Sequence, residues 1–130
     1  MIKLFDLISG TRLRKRNVFF QYDSSEHFTG EYDYEGNKIY SKTVVKGVTG
    51  SIGGVLAVDF PLNINAKRAW RDDSNSYFVY ANGNTDPISM YNGDSRRFDG
   101  YFKENNTNTY RIDFWGKAAG TCVLTIRYVK

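Results

Sequence analysis

The chain has 130 residues and a single cysteine, enough for one domain that buries a core without staples. Cys122 alone excludes an intrachain disulfide framework and a cysteine-only zinc site. Of 18 basic and 14 acidic residues, five and one lie in residues 1–20 (Lys3, Arg12, Arg14, Lys15 and Arg16 against Asp6), so 13 of each remain and the body is neutral. A basic arm on a neutral body argues against a nucleic-acid face across the domain and points to a local electrostatic contact made by the arm.

Met1, Leu4, Phe5 and Ile8 fall on one face at helical spacing, and Ser9-Gly10 stops the run. A helix this short needs something to pack on. Residues 1–16 therefore read as a docking arm, with Leu4, Phe5, Leu7 and Ile8 as apolar anchors and Arg12 and Arg14 as charged ones. The bland alternative is a frayed terminus followed by a solvated linker. Asp6 interrupts the apolar run and the basic cluster follows it, which is the wrong order for a signal peptide. No stretch approaches the ~18–20 apolar residues of a membrane span. The chain reads as assembled in the cytoplasm, without membrane insertion.

From residue 17 to 130 the chain reads as one β-module. Aromatics at 16% and 12 glycines favour short strands joined by tight turns. Strand candidates are residues 18–22, 39–46 after the Glu35-Gly36-Asn37 turn, and 54–58 after the glycine-rich stretch 47–53. Pro61 suggests an edge or a bend there. Residues 76–80 run into Asn82-Gly83, a hairpin signal, and 88–91 into a second one at Asn92-Gly93-Asp94. Residues 97–103 follow, with Gly100 as a candidate bulge. The last two strands, 109–115 and 121–129, alternate cleanly. Tyr110, Ile112 and Phe114 share one face, and Cys122, Leu124, Ile126 and Tyr128 share another. About eight such strands predict an all-β antiparallel β-sandwich, jelly-roll-like. Cys122 belongs to that pattern as a buried structural thiol.

Chemistry finds little to work with. His27 is the only histidine, so a His-dependent triad or multi-His metal site would need several chains; lying in a turn-rich stretch, it reads as a solvent-exposed structural residue. No phosphate loop, His-Glu-x-x-His or Gly-x-Ser-x-Gly is present. Asp72-Asp73, flanked by Arg68 and Arg71, reads as a loop whose charges pair locally, and with Asn75 it lacks a calcium-loop spacing. No catalytic residues, metal or cofactor are expected. Binding is the better case. Trp70 beside Arg71, Asp72, Asp73 and Asn75 offers an aromatic face and polar grips for a sugar, and Tyr91 with Arg96 offers a second set. The competing reading packs Trp70 or Tyr91 into the core or a subunit interface.

Tyr22-Asp23-Ser24-Ser25-Glu26, Gly30, and the run from Gly36-Asn37-Lys38 into Ile39-Tyr40-Ser41-Lys42-Thr43 resemble the opening of a small all-β module found at the C-terminal ends of bacteriophage tail-fibre and receptor-binding proteins. The final strand, an aliphatic/Thr alternation ending Tyr128-Val129-Lys130, is similar to that module's close. The match departs at Asp23-Ser24-Ser25-Glu26-His27, where the family has Ser-Thr-Glu-Glu, and at Asn37, where Gly often precedes Lys directly. The resemblance implies a homotrimeric virion protein of fibre or tail-appendage type. Docking to a capsid, tail or baseplate protein would use the arm, and the sandwich would contact host cell-surface glycan. A head fibre or decoration protein, a stand-alone carbohydrate-binding module and a phage hydrolase are the rival expectations.

Overall fold

The computed structural model describes residues 22–49, 54–88, 90–91, 97–115 and 119–130. The expected docking arm, most of the expected strand at 18–22 and the turn at 92–94 lie outside them.

Apolar and β-branched alternation becomes ten strands among the described residues, and no α-helix. They are β1 (His27–Tyr32), β2 (Lys38–Thr49), β3 (Val55–Pro61), β4 (Arg68–Arg71), β5 (Tyr77–Tyr80), β6 (Thr85–Pro87), β7 (Met90–Tyr91), β8 (Arg97–Phe102), β9 (Thr109–Trp115) and β10 (Ala119–Val129). Two antiparallel sheets result, one ordered β1-β2-β10-β5-β6 with β4 beside the far end of β10, the other β3-β9-β8-β7. They pack face to face as a β-sandwich around one core.

The winding is nested. β2 pairs with β10 from Tyr40↔Tyr128 to Thr49↔Ala119, and β3 pairs with β9 from Val55↔Trp115 to Pro61↔Thr109. Early strands thus close on late ones, as in a jelly roll, while β5–β6 and β7–β8–β9 are local hairpin connections. Pro61 ends β3, the edge strand of its sheet, where a missing N–H costs no ladder bond. Turns at Gly36 and Gly83 adopt φ of 86° and 89°, the left-handed region that glycine enters freely.

The core is aromatic at its centre. Phe78 of β5 meets Phe98 of β8 at 5.2 Å and Phe114 of β9 at 5.6 Å between ring centroids, joining the two sheets. Tyr128, Phe60, Leu62, Ile112, Leu124 and Ile126 are fully buried around them. The two predicted faces of the last strands hold: Tyr110, Ile112, Phe114, Cys122, Leu124, Ile126 and Tyr128 all belong to this core.

Three expectations are corrected. β2 runs on through Gly47 to Thr49, because β10 pairs with it across that whole length. Gly100 makes no bulge; it sits in regular register opposite Ile112. A Cβ there would lie 2.7 Å from the Tyr110 hydroxyl and 3.0 Å from the Arg71 guanidinium, so it is space that glycine supplies. Residues 68–71, expected as a loop, form β4, pairing in register with the end of β10 so that Ala69 and Arg71 share one face and Arg68 and Trp70 the other.

Candidate functional site

The expected sugar-gripping segment is an insertion in one strand line. From Arg71 to Tyr77 the chain advances six positions while its partner moves three, from Ile126 to Val123. The surplus is taken up by a single 3-10 turn, Asp73–Asn75. Thr125 faces the gap and keeps its backbone bonds. Its carbonyl accepts from the Asp72 N–H at 2.9 Å and the Ser76 hydroxyl at 3.2 Å, and its N–H donates to Ser76 Oγ at 2.9 Å. A side-chain hydroxyl thus replaces the missing ladder partner, as a buried backbone group requires.

The candidate residues in this turn are bonded to one another. Arg71 Nε donates to Asp73 Oδ1 at 2.6 Å and Asn75 Nδ2 to Asp72 Oδ2 at 2.9 Å. The local charge pairing expected of Asp72-Asp73 thus holds for Arg71 with Asp73, while Arg68 pairs instead with Asp33 and Glu35. The Tyr22 hydroxyl donates to Asn75 Oδ1 at 3.2 Å. Arg71 also reaches across the sandwich to the Tyr110 hydroxyl of β9 at 2.7 Å. These groups serve the fold, tying the insertion down and bridging the sheets.

Trp70 parts company with them. Along β4, Ala69 turns to the core opposite Tyr128, Arg71 turns the same way, and Trp70 points to the outer face with 38% of its surface exposed. Tyr91 pairs with Arg97 through its backbone; its side chain and Arg96 lie outside the described residues.

Trp70 ends a row that crosses the outer face of the β10 sheet. His27 of β1 is opposite Ser41 of β2, Ser41 is opposite Arg127 of β10, and Arg127 is opposite Trp70. Arg127 forms an ion pair with Glu31 through its terminal nitrogen. His27 Nδ1, Ser41 Oγ and Arg127 Nε are buried and have no hydrogen-bond partner among the described residues. The row beside it contrasts: Thr43 and Thr125 are opposite each other, and their hydroxyls bond at 2.9 Å. Sequence reasoning missed this row. It placed His27 in a solvent-exposed turn, whereas His27 begins β1 and is half-buried. The period-2 pattern of residues 122–128 puts Arg127 on the outer face, but only the strand register reveals that Ser41 and His27 join it.

The opening and closing stretches meet on the opposite side of the same strands. The Tyr128 hydroxyl donates to Glu26 Oε1 at 2.6 Å, and Lys130 Nζ lies 2.5 Å from Glu26 Oε2 and 4.5 Å from the Tyr40 ring centroid. Burial works against the charged form of Glu26, but the bonds from Lys130 and Tyr128 outweigh it and hold the carboxyl below its ordinary range. Burial, then the Glu26 bond, pushes the Tyr128 hydroxyl well up. Burial likewise pushes the Cys122 thiol up to about 12, the opposite of what an attacking thiolate needs. Among the described residues no group of three or more His, Cys, Asp or Glu is placed to hold a metal ion, and no helix is long and apolar enough to cross a membrane.

No protein-family profile, curated protein or solved structure matches this chain.

Proposed function

We propose that this protein is a bacteriophage virion component of fibre or tail-appendage type, docked to the particle by residues 1–16 and contacting the host surface through its β-sandwich. One observation carries the reading. The two stretches that resemble the phage module, at residues 22–44 and 122–130, are far apart in the chain but form one structural unit. β2 and β10 are paired over ten successive residues. Glu26 of the opening is bonded to Tyr128 and Lys130 of the close. A motif whose separated parts interlock in this way has a reason to occur together: each end completes the other's hydrogen bonds. The exposed Trp70 favours glycan as the surface contacted. The trimer, the capsid, tail or baseplate partner and the virion location follow from the resemblance.

Deleting residues 1–16 is expected to leave a folded trimer, by light scattering and circular dichroism, that is no longer found in purified particles. Normal incorporation of the truncated protein would sink the docking role, and a monomeric full-length protein would count against the fibre-type assignment.

A further inference from the structure

We infer that the outer-face row His27–Ser41–Arg127–Trp70, and not the Asp72–Asn75 turn, is where the sandwich binds a neutral, hydroxyl-rich sugar. The inference rests on the attachment reading above and names the site within it. Three registered neighbours each carry a buried polar atom without a partner, at Ser41 Oγ, His27 Nδ1 and Arg127 Nε. Leaving one such group unsatisfied forfeits its bonds to water and destabilises the fold. Three together on one face are a large burden for a marginally stable fold unless a ligand engages them. Ser41 is fully buried, yet the adjoining Thr43–Thr125 pair is closed.

The donor and acceptor inventory sets the ligand class. The Arg127 Nε–H can only donate, whereas the Ser41 hydroxyl donates or accepts and a neutral imidazole Nδ1 does one or the other. Sugar hydroxyls do both and satisfy every combination. An anion is a poorer match, because the Arg127 charge is already paired with Glu31. Trp70, next in the row, supplies an apolar face for the sugar's C–H surface. The three polar atoms lie below the accessible surface, so binding requires the half-buried His27 or Arg127 side chain to swing outward. The Asp72–Asn75 turn offers no comparable vacancy, since its side chains are bonded among themselves.

The test is calorimetric titration of the full chain with neutral glucose-, galactose- and mannose-based oligosaccharides and with matched uronic-acid oligosaccharides. Neutral sugars are expected to bind. Trp70→Ala and Ser41→Ala should each weaken binding at least tenfold, and Asp73→Ala should leave it within twofold. Ser41→Ala should also keep the wild-type melting temperature or raise it, because it deletes an unpartnered hydroxyl; Ser41→Thr, which keeps the hydroxyl, provides a second variant if the alanine form is unstable. Binding lost in Asp73→Ala but kept in the row variants overturns the site while leaving the attachment reading standing. Preference for uronic acids overturns the ligand class. No binding by the wild-type chain overturns the inference, and the particle-incorporation experiment decides the virion role separately.

Discussion

Asp59 is opposite Arg111 in the β3–β9 ladder and receives its guanidinium at 2.7 Å, with Lys103 Nζ at 3.1 Å on the other oxygen. The Arg111 bond, which exceeds the opposing effect of burial and is joined by the Lys103 bond, holds the Asp59 carboxyl down at about 2. An unfolded aspartate titrates near ~3.9. The folded value is the lower one, so this pairing stabilises the protein above about pH 4 and is lost as pH falls through about 2. Asp59→Asn should therefore lower the melting temperature at pH 7 and flatten its fall over that window, both by the same modest amount, because solvent screening weakens a part-exposed pair. An unchanged acid profile would show that Asp59 is not the group responsible. Sequence could not flag Asp59, since its partners lie more than 40 positions away.

At the scale of elements, the insertion between β4 and β5 is the least regular part of the sandwich and depends on one hydroxyl. Ser76 is buried and bonds both backbone groups of Thr125; the carbonyl also has the Asp72 N–H, but the Thr125 N–H depends on the Ser76 hydroxyl. Ser76→Ala is expected to cost about 1–3 kcal/mol, read from the midpoint of urea unfolding, because it strands a buried N–H. Asn75→Ala, which removes part-exposed side-chain bonds, should cost about 1 kcal/mol or less. Equal effects would place the support of the turn elsewhere. Strands with strict alternation, β9 and β10, were legible in the sequence because a half-buried sheet enforces period 2. β4 and β1 were not. β4 is only Arg68–Arg71, and β1 carries Gly30 at φ 88° beside a register irregularity, so neither shows a clean pattern.

Across the whole molecule, the two sheets are held by a small number of shared aromatics. Phe78 is fully buried and touches the rings of Tyr80, Phe98 and Phe114. Phe78→Ala should cost about 3–5 kcal/mol in urea unfolding, for the lost burial and the cavity left between the sheets. A cost below about 1 kcal/mol would mean that the sheets are joined by other contacts. Gly120 matters at the same scale. A Cβ at this position would meet the Val79 carbonyl oxygen at 2.1 Å, so only glycine lets β10 lie against β5 while also pairing with β2.

By itself the sequence determined the class of fold, the buried faces of β9 and β10, the structural character of Cys122 and the turns at Gly36 and Gly83. Each of these depends on residues close together in the chain, where periodicity and glycine conformation act directly. The tertiary structure alone decided which polar groups meet. It spent Arg71, Asp72, Asp73 and Asn75 on one another, turned Trp70 away from them, and brought His27, Ser41 and Arg127 into one row. Register between strands distant in sequence makes those choices, and burial of the common core fixes that register.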